Sequence, residues 1–468
     1  MKNGLSDIIE RLQAGQFSEA LIQLESYRPA PREEKLCLYL RAIASFNTGH
    51  LASAQRYFEQ CIEDESPIDW WINYGIFCRD AGAWAALDEV AAHLQQRKSR
   101  GYEVTTLIAE SHRRRCELDE AVECYETELQ CNPEAPKLLL GYANALRDAR
   151  RYQQALDVFE SPAIKLQDPE IRWNQALTQL AMGPSNLPNL ESRFQRTPSP
   201  YLEYQPKNLA RLPQLTQPSK QRLLLVSEQG FGDTLQFARY VAALHSTYPS
   251  LGWVVPQRLV RLLRLSFPSV RLLSSSEVNE AEWDAWLPLL STGYQGLKPD
   301  AAPYLHAPKL PPSLEAYRGT VLLNWAGSST YIHDFWRSLT AEDFFPLCSG
   351  ETTFETVSIQ HGLNELQRRQ LPESVIAIGH LLDIGDDGFY ETAALFSVAK
   401  ALVTTDTAVA HLAGALGLQT HLVLGPLADW RWEWEEETTP WYPSTTLHRW
   451  KSRDEIPKLM KKIRAALN

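Results

Sequence analysis

The chain has 468 residues, of which 44% are hydrophobic and 22% charged. This ordinary globular composition excludes a disordered chain, a collagen and a small disulfide knot, and at roughly 150 residues per domain the length suggests about three compact units. The net charge of -11, from 57 acidic against 46 basic residues, argues against a binder of the phosphate backbone, which carries a basic excess or stripe.

The N-terminal MKNGLSDIIERLQ meets charges within a few residues and has no long apolar core, so a signal peptide is not expected. No apolar run approaches the roughly 20 residues of a bilayer span. A soluble, cytoplasmic chain is the expectation. The seven cysteines, Cys37, Cys61, Cys78, Cys116, Cys124, Cys131 and Cys348, form no C-x-x-C. Six lie in the first third at helical positions and read as buried free thiols in a reducing compartment. The one compact basic run, Arg113-Arg114-Arg115, reads as a solvated helix face.

The segments GQFSEAL, GHLASAQ, GAWAALD, CELDEAV and RYQQALD align. Ala20, Ala54, Leu87, Ala121 and Ala155 share one position, at steps of 34, 33, 34 and 34 residues. Three residues earlier stand Phe17, Leu51, Trp84, Leu118 and Tyr152. Four residues later stand Leu24, Phe58, Ala91, Tyr125 and Phe159. Period and pattern resemble the tetratricopeptide repeat, a helical hairpin. The small residue lets two helices approach, large ones fill the groove between them, and stacked copies share a core. A sixth, degenerate pair from about Glu170 to Phe194 is expected to cap the stack.

Residues 196–219 hold five prolines and read as a domain boundary. Strands and helices then alternate. RLLLVS, LGWVVP, VRLL and the run around WLPLL read as strands, with helices over TLQFARYVAALHSTY and RLVRLLRLSF. A second link, residues 307–319, precedes strands TVLLNWAG, FETVSIQ, ALVTT and HLVLG and helices AEDFFPLC, ETAALFSVAK and AVAHLAGALG. Lys458, Lys461, Lys462 and Arg464 suit the last turns of a C-terminal helix. Two βα runs joined by a linker predict two doubly wound lobes with a cleft between them.

Three loops have the residues for chemistry. Glu228 to Thr234 leaves a strand and opens a helix. Gly230 and Gly232 permit close backbone approach, and Asp233 stands where a helix cap would be. Thr404 to His411 also joins a strand to a helix, and its hydroxyls and free N–H groups make an anion site. Either loop is also consistent with an ordinary capped helix. The third, Asn324 to Ser329 with His333, Asp334, Arg337 and Ser338, offers Arg337 as a phosphate clamp or as half of a surface pair with Asp334. No metal-ligand set, Walker A loop or G-x-S-x-G elbow is present. Asp386-Asp387 reads as a solvated turn. Half of the 14 tryptophans fall in the last third and read as core or as stacking surfaces.

The blocks EQGFGDTLQFARY, WAGSSTYIHDFWRS, SIQHG, ETAALFSVAKALVTTDTAVAHLAGALG and DWRWEWEEETTPWYP resemble, in this order, tetratricopeptide-repeat proteins ending in a heptosyltransferase-like domain (glycosyltransferase family 9), cousins of the repeat-bearing protein O-GlcNAc transferases. The resemblance implies an α-solenoid over residues 1–199 and a GT-B fold of two Rossmann-like lobes, the acceptor lobe over 200–318 and the donor lobe over 319–468. It implies inverting, metal-independent sugar transfer from a nucleoside diphosphate sugar, with no cofactor, to an acceptor hydroxyl on a protein or peptide held by the repeats. A homodimer fits such solenoids. Asp233 is then the general base. Gly230, Gly232, Ser358, Gln360, His361, Arg337, Thr405, Asp406, Thr407, Ala408 and His411 are expected around the donor, with Glu391 at the ribose. The chain departs from the family at Ser328-Ser329, where Asn-Pro is usual, at Tyr331 and His333, and at His361, where a lysine is usual. These departures leave open a catalytically weak, nucleotide-binding scaffold that uses its repeats for assembly.

Overall fold

The computed structural model describes residues 4–164, 168–215, 220–328, 334–432 and 437–468. Contacts divide the chain into two compact units, Met1–Lys165 and Leu166–Asn468. The first unit is a series of helical hairpins: α1 (Leu5–Gln13) with α2 (Phe17–Ser26), α3 (Glu34–Asn47) with α4 (Leu51–Cys61), α5 (Ile68–Ala81) with α6 (Trp84–Gln96), α7 (Tyr102–Arg114) with α8 (Leu118–Leu129), and α9 (Pro136–Asp148) with α10 (Tyr152–Phe159). Each second helix begins at the large residue of the sequence repeat. The small position of every copy is buried, as is the position four residues on.

The turn inside each hairpin obeys the same period. Gly15, Gly49 and Gly82 have φ of 74°, 81° and 72°, and Cys116 and Arg150 reach 63° at the equivalent places. A left-handed residue there ends the first helix and reverses the chain. Cys116 is therefore a turn residue, Cys124 is only partly buried and Cys131 is exposed, so three of the six early thiols are not in a buried helical setting. The arginine run also departs from expectation. Arg113 pairs with Asp148 and Glu110, Arg115 with Asp88 and Glu117, and Arg114 is buried with its guanidinium 3.4 Å from the Trp84 ring centroid. Three adjacent helical residues point in three directions, so here they tie neighbouring hairpins together rather than forming one wet face.

The second unit opens with α11 (Pro169–Leu180) and a 3₁₀ stretch, Pro184–Gln195. This is the segment expected to cap the solenoid, yet Leu180, Leu187 and Leu190 join the core of the second unit. Two parallel sheets follow. One contains β1 (Leu223–Val226), β2 (Leu251–Val254), β3 (Arg271–Leu273) and β4 (Ala285–Pro288), in the order β3-β2-β1-β4. The other contains β5 (Val321–Asn324), β6 (Thr356–Ser358), β7 (Val375–Ala377), β8 (Ala401–Thr405), β9 (Thr420–Leu424) and β10 (Thr445–Arg449), in the order β10-β9-β8-β5-β6-β7. Counted from its own first strand, the larger sheet runs 3-2-1-4-5-6, the order of dinucleotide-binding folds. Helices α12 (Phe231–Phe237), α13 (Val241–Thr247), α14 (Val260–Ser266), α15 (Asp334–Arg337), α16 (Ala341–Cys348), α17 (Glu365–Arg369), α18 (Tyr390–Phe396), α19 (Ala408–Leu416) and α20 (Ile456–Leu467) complete the unit.

The proline-rich stretch after residue 196 is more than a link. Leu202, Tyr204 and Leu209 pack on one face of the smaller sheet against Trp283 and Trp286, and isolated bridges join Leu202 to Glu228 and Arg211 to Trp286. Chain without regular structure covers a face that a helix would otherwise cover. The second link carries a 3₁₀ turn at Pro312–Tyr317. Among the described residues no helix is long and apolar enough to cross a membrane.

Two outcomes follow from this packing. A Cβ at Gly141 in α9 would lie 2.7 Å from Cζ of the Tyr125 ring, so Gly141→Ala overpacks a hairpin contact. It should cost about 1–3 kcal/mol and lower the melting temperature of the repeat unit. In the larger sheet His421 Nδ1 lies 2.9 Å from His448 Nε2. Burial, and then the facing His421 ring, holds His448 down at about 4. The unfolded chain, with its histidine near 6.5, takes up a proton that the folded sheet refuses. Stability is thus full above about pH 6.5 and falls toward pH 4, by about 3 kcal/mol from this residue. Urea titrations across that range should show the slope, and His448→Phe should flatten it.

Candidate active site

In an open parallel sheet, ligands bind outside the carboxyl ends of the strands where the strand order reverses. In the larger sheet that point is between β5 and β8. In the smaller it is between β1 and β4. Both loops singled out in the sequence leave the sheets there.

The glycine loop follows β1 and is anchored at its start. Glu228 is 1% exposed and Arg193 2% exposed. The Arg193 Nε and Nη2 atoms each donate to Glu228 at 2.8 Å, and the backbone N–H of Leu290 donates to the same carboxylate at 2.9 Å. A bidentate buried pair fixes both position and angle of the chain entering the loop. Gln229 then takes a φ of 60°, and Gly230 is the N-cap residue of α12. The cap place expected for Asp233 thus falls to Gly230; Asp233 stands in the first turn, where its Oδ2 accepts the Gly230 N–H at 2.9 Å.

The second loop follows β8. Asn324, at the end of β5, donates through Nδ2 to Thr404 Oγ1 at 3.2 Å and Thr407 Oγ1 at 3.4 Å. Thr405 Oγ1 donates to the Trp325 carbonyl at 3.2 Å. These bonds hold Thr407 as the N-cap of α19 in extended geometry, with no side-chain cap on the first turn, where helix N–H groups lack intrahelical partners. His411 is buried one turn in. Its Nδ1 lies 3.0 Å from the Tyr442 hydroxyl, and its ring stacks on Trp432 with centroids 5.3 Å apart. Burial, then Arg431 and Arg239, hold it well below the ordinary imidazole value, so it stands neutral.

The two loops meet. A Cβ on Gly232 would come 2.9 Å from His411 Cδ2 and 3.5 Å from the Ala408 Cα; glycine is what allows this approach. Asp233 Oδ1 pairs with Arg431, from the chain after β9. Arg431 also donates to Asp429 at 2.7 Å and to Gln236 Oε1 at 2.7 Å. Burial raises Asp233 above the ordinary carboxylate value, with Arg431 opposing it. Burial, then the neighbouring Asp429, pushes Asp406 up to about 6. Arg431 feels a desolvation penalty, but Asp429 and Asp233 more than reverse it and its pKa is raised. The arrangement can hold an anion at α19 beside a carboxylate of raised proton affinity.

The other sequence-predicted residues each have local partners of their own. Ser358 is fully buried at the end of β6. Gln360 Oε1 accepts the N–H groups of Trp325 and Ala326 at 3.0 and 2.9 Å, so its amide shapes the loop after β5. His361 is exposed; partial desolvation, then the Arg258 guanidinium, hold it below the ordinary value, and it is neutral where a lysine would be charged. Glu391 Oε2 accepts the Asp383 N–H and its own N–H donates to Asp383, both at 2.8 Å. Arg337 Nε pairs with Asp334 at 2.9 Å, and its guanidinium packs over Gly327. Ser329, Tyr331, His333 and Trp434 lie outside the described residues. Trp325, Trp336, Trp432, Trp441 and Trp450 are buried, which is core packing. Asp387, expected to be solvated, pairs with Arg261 at 2.7 Å.

Arg431, Asp429, Gln236 and Tyr442 were not singled out from the sequence. Their signal was a charged pair inside a tryptophan-rich run, which alone does not say what the charges face. Among the described residues no three His, Cys, Asp or Glu side chains are grouped to hold a metal ion.

No protein-family model matches the chain, and no curated protein matches it. Among solved structures it is similar to MamA of strain AMB-1, at 20% identity over 34% of this chain and 95% of that one, with a TM-score of 0.28. It is similar to PilF of Pseudomonas aeruginosa, at 15% identity over 41% of this chain and 87% of that one, with a TM-score of 0.33. It is also similar to the dodecameric iron-containing heptosyltransferase TibC in complex with ADP-D-beta-D-heptose, at 14% identity over 54% of this chain and 79% of that one, with a TM-score of 0.37. At TM-scores below 0.5 these likenesses carry no functional argument; the residues must.

The anchor of the glycine loop is testable. Arg193→Met leaves Glu228 buried without its partner and should cost about 3–5 kcal/mol, read as a lower melting temperature of the second unit. Adding Glu228→Gln should recover part of the loss.

Proposed function

We propose that the second unit is a glycosyltransferase of the GT-B type, similar to family 9. Its acceptor lobe spans about 200–318 and its donor lobe 319–468. One observation carries the reading: the loops at the two switch points converge, bringing the Asp233 carboxylate beside the first turn of α19. A nucleoside diphosphate sugar would set its diphosphate against the free N–H groups at Thr407 and Ala408, where the helix dipole favours negative charge.

An acceptor hydroxyl then attacks the anomeric carbon from the side opposite the diphosphate. The new C–O bond forms as the bond to the diphosphate oxygen breaks, which inverts the centre. Asp233 takes the hydroxyl proton, a task for which burial suits it by raising its proton affinity. The leaving diphosphate keeps its electron pair and is stabilised by oriented N–H groups without a required divalent cation. Ser358, Gln360 and Glu391 would shape the nucleotide end. The repeats of the first unit would hold a protein or peptide acceptor in the cytoplasm, and a homodimer is compatible with them.

Asp233→Asn should lower transfer roughly 10²–10⁴-fold while nucleotide binding persists. Calorimetry with UDP, GDP and ADP and their sugars, with and without EDTA, supplies the binding side. Full transfer by the asparagine variant, or binding that needs a metal, would sink the assignment. Nucleotide binding with no turnover on any acceptor would leave the scaffold reading instead.

A further inference from the structure

Arg431 is buried, and each of its donor groups faces a defined acceptor: Asp233, Asp429 and Gln236. The charges around it are unbalanced. Asp233 and Asp429 touch it, and Asp406 lies close enough for its carboxylate to be felt. His411, one turn into α19, is close enough that Arg431 disfavours its protonation. Arg431 is thus within electrostatic reach of both loops, and it neutralises the carboxylate read above as the base. While that pair is intact, the Asp233 oxygen facing Arg431 is engaged and its other oxygen is held by the Gly230 N–H. Each oxygen keeps a second acceptor site, but the adjacent Arg431 charge weakens the carboxylate as a base for the acceptor's proton.

We propose that Arg431 gates Asp233: an incoming nucleoside diphosphate competes for the Arg431 guanidinium, drawing it off Asp233 and releasing the carboxylate to accept the acceptor's proton only when donor is bound. This rests on the glycosyltransferase reading and adds a regulation to it. The exchange is chemically matched, because diphosphate oxygens and carboxylates both take guanidinium N–H groups in the same planar, bidentate manner. Asp429 and Gln236 keep part of the guanidinium satisfied throughout, and the diphosphate must meet the cost of leaving Asp233 without its ion partner. The exchange also imposes an order, donor before acceptor.

Thermodynamic linkage makes the gate measurable without turnover, since a competitor for Arg431 must weaken diphosphate binding by the amount that diphosphate weakens the competitor. The full chain is titrated calorimetrically with UDP, GDP and ADP, and the tightest of the three is taken forward. Asp233→Asn should bind it more tightly, within the roughly 5- to 150-fold range of coupled sites. In an Arg431→Met background the same Asp233→Asn change should have no effect. If Arg431→Met melts the unit, Arg431→Lys serves, because a lysine ammonium lacks the planar fork by which the guanidinium engages carboxylate and diphosphate alike, and the Asp233→Asn gain should shrink. Unchanged affinity in Asp233→Asn overturns the gate, as does a gain that persists undiminished in the residue-431 background, which would reflect bulk charge. Wild-type chain that binds none of the three removes the glycosyltransferase reading and the gate together. Binding and turnover without coupling removes the gate alone.

Discussion

The second unit depends on one close approach, that of the Gly232 backbone to His411 and Ala408. Any side chain at Gly232 would hold the glycine loop off the helix. Without that contact Asp233 could not reach Arg431, and the ends of two sheets would carry separate, chemically incomplete loops. On the same helix Gly414 admits the Tyr442 ring, whose hydroxyl meets His411.

Buried charge is the price of this geometry. Arg193 and Glu228 are removed from water at the root of the glycine loop, and at its tip Arg431 is buried against a largely covered Asp233 and a partly exposed Asp429. Isolated buried ions are costly, and pairing returns the cost only where geometry is good. Here both guanidiniums are met at several donor atoms, so each pair also sets an angle. Such pairs do more to specify one loop conformation than to stabilise the fold. The group that pins Asp233 is the one that an anion would recruit in the proposed exchange.

Much of the architecture could be read from the residues. The repeat register survives in three dimensions because its small and large positions are the ones that pack, and because each hairpin turn returns at the same interval. The strands buried on both faces, such as β1, β5 and β8, were visible as apolar runs. Two strands are not legible in this way: β7 is a three-residue, partly exposed edge, and β10, five residues long, is rich in polar residues. The segment from Glu170 to Phe194 had the pattern of another helix pair, but pattern does not say which core an amphipathic segment joins. The arginine run was misjudged for a related reason: composition shows charge, whereas helical rotation and neighbouring acids decide whether it is solvated.

The amino-acid sequence alone determined the helical repeat, the change to alternating strands and helices, and the two strand-to-helix loops with their glycines, hydroxyls and Asp233, because these are local patterns set by period and backbone freedom. Tertiary structure decided that the loops meet, that Asp233 is held by Arg431 nearly two hundred positions away, and that Glu228 is a buried anchor rather than part of an open loop. Those facts arise from strand order and from which charges are sealed from water together, and neither property is written in any contiguous stretch of chain.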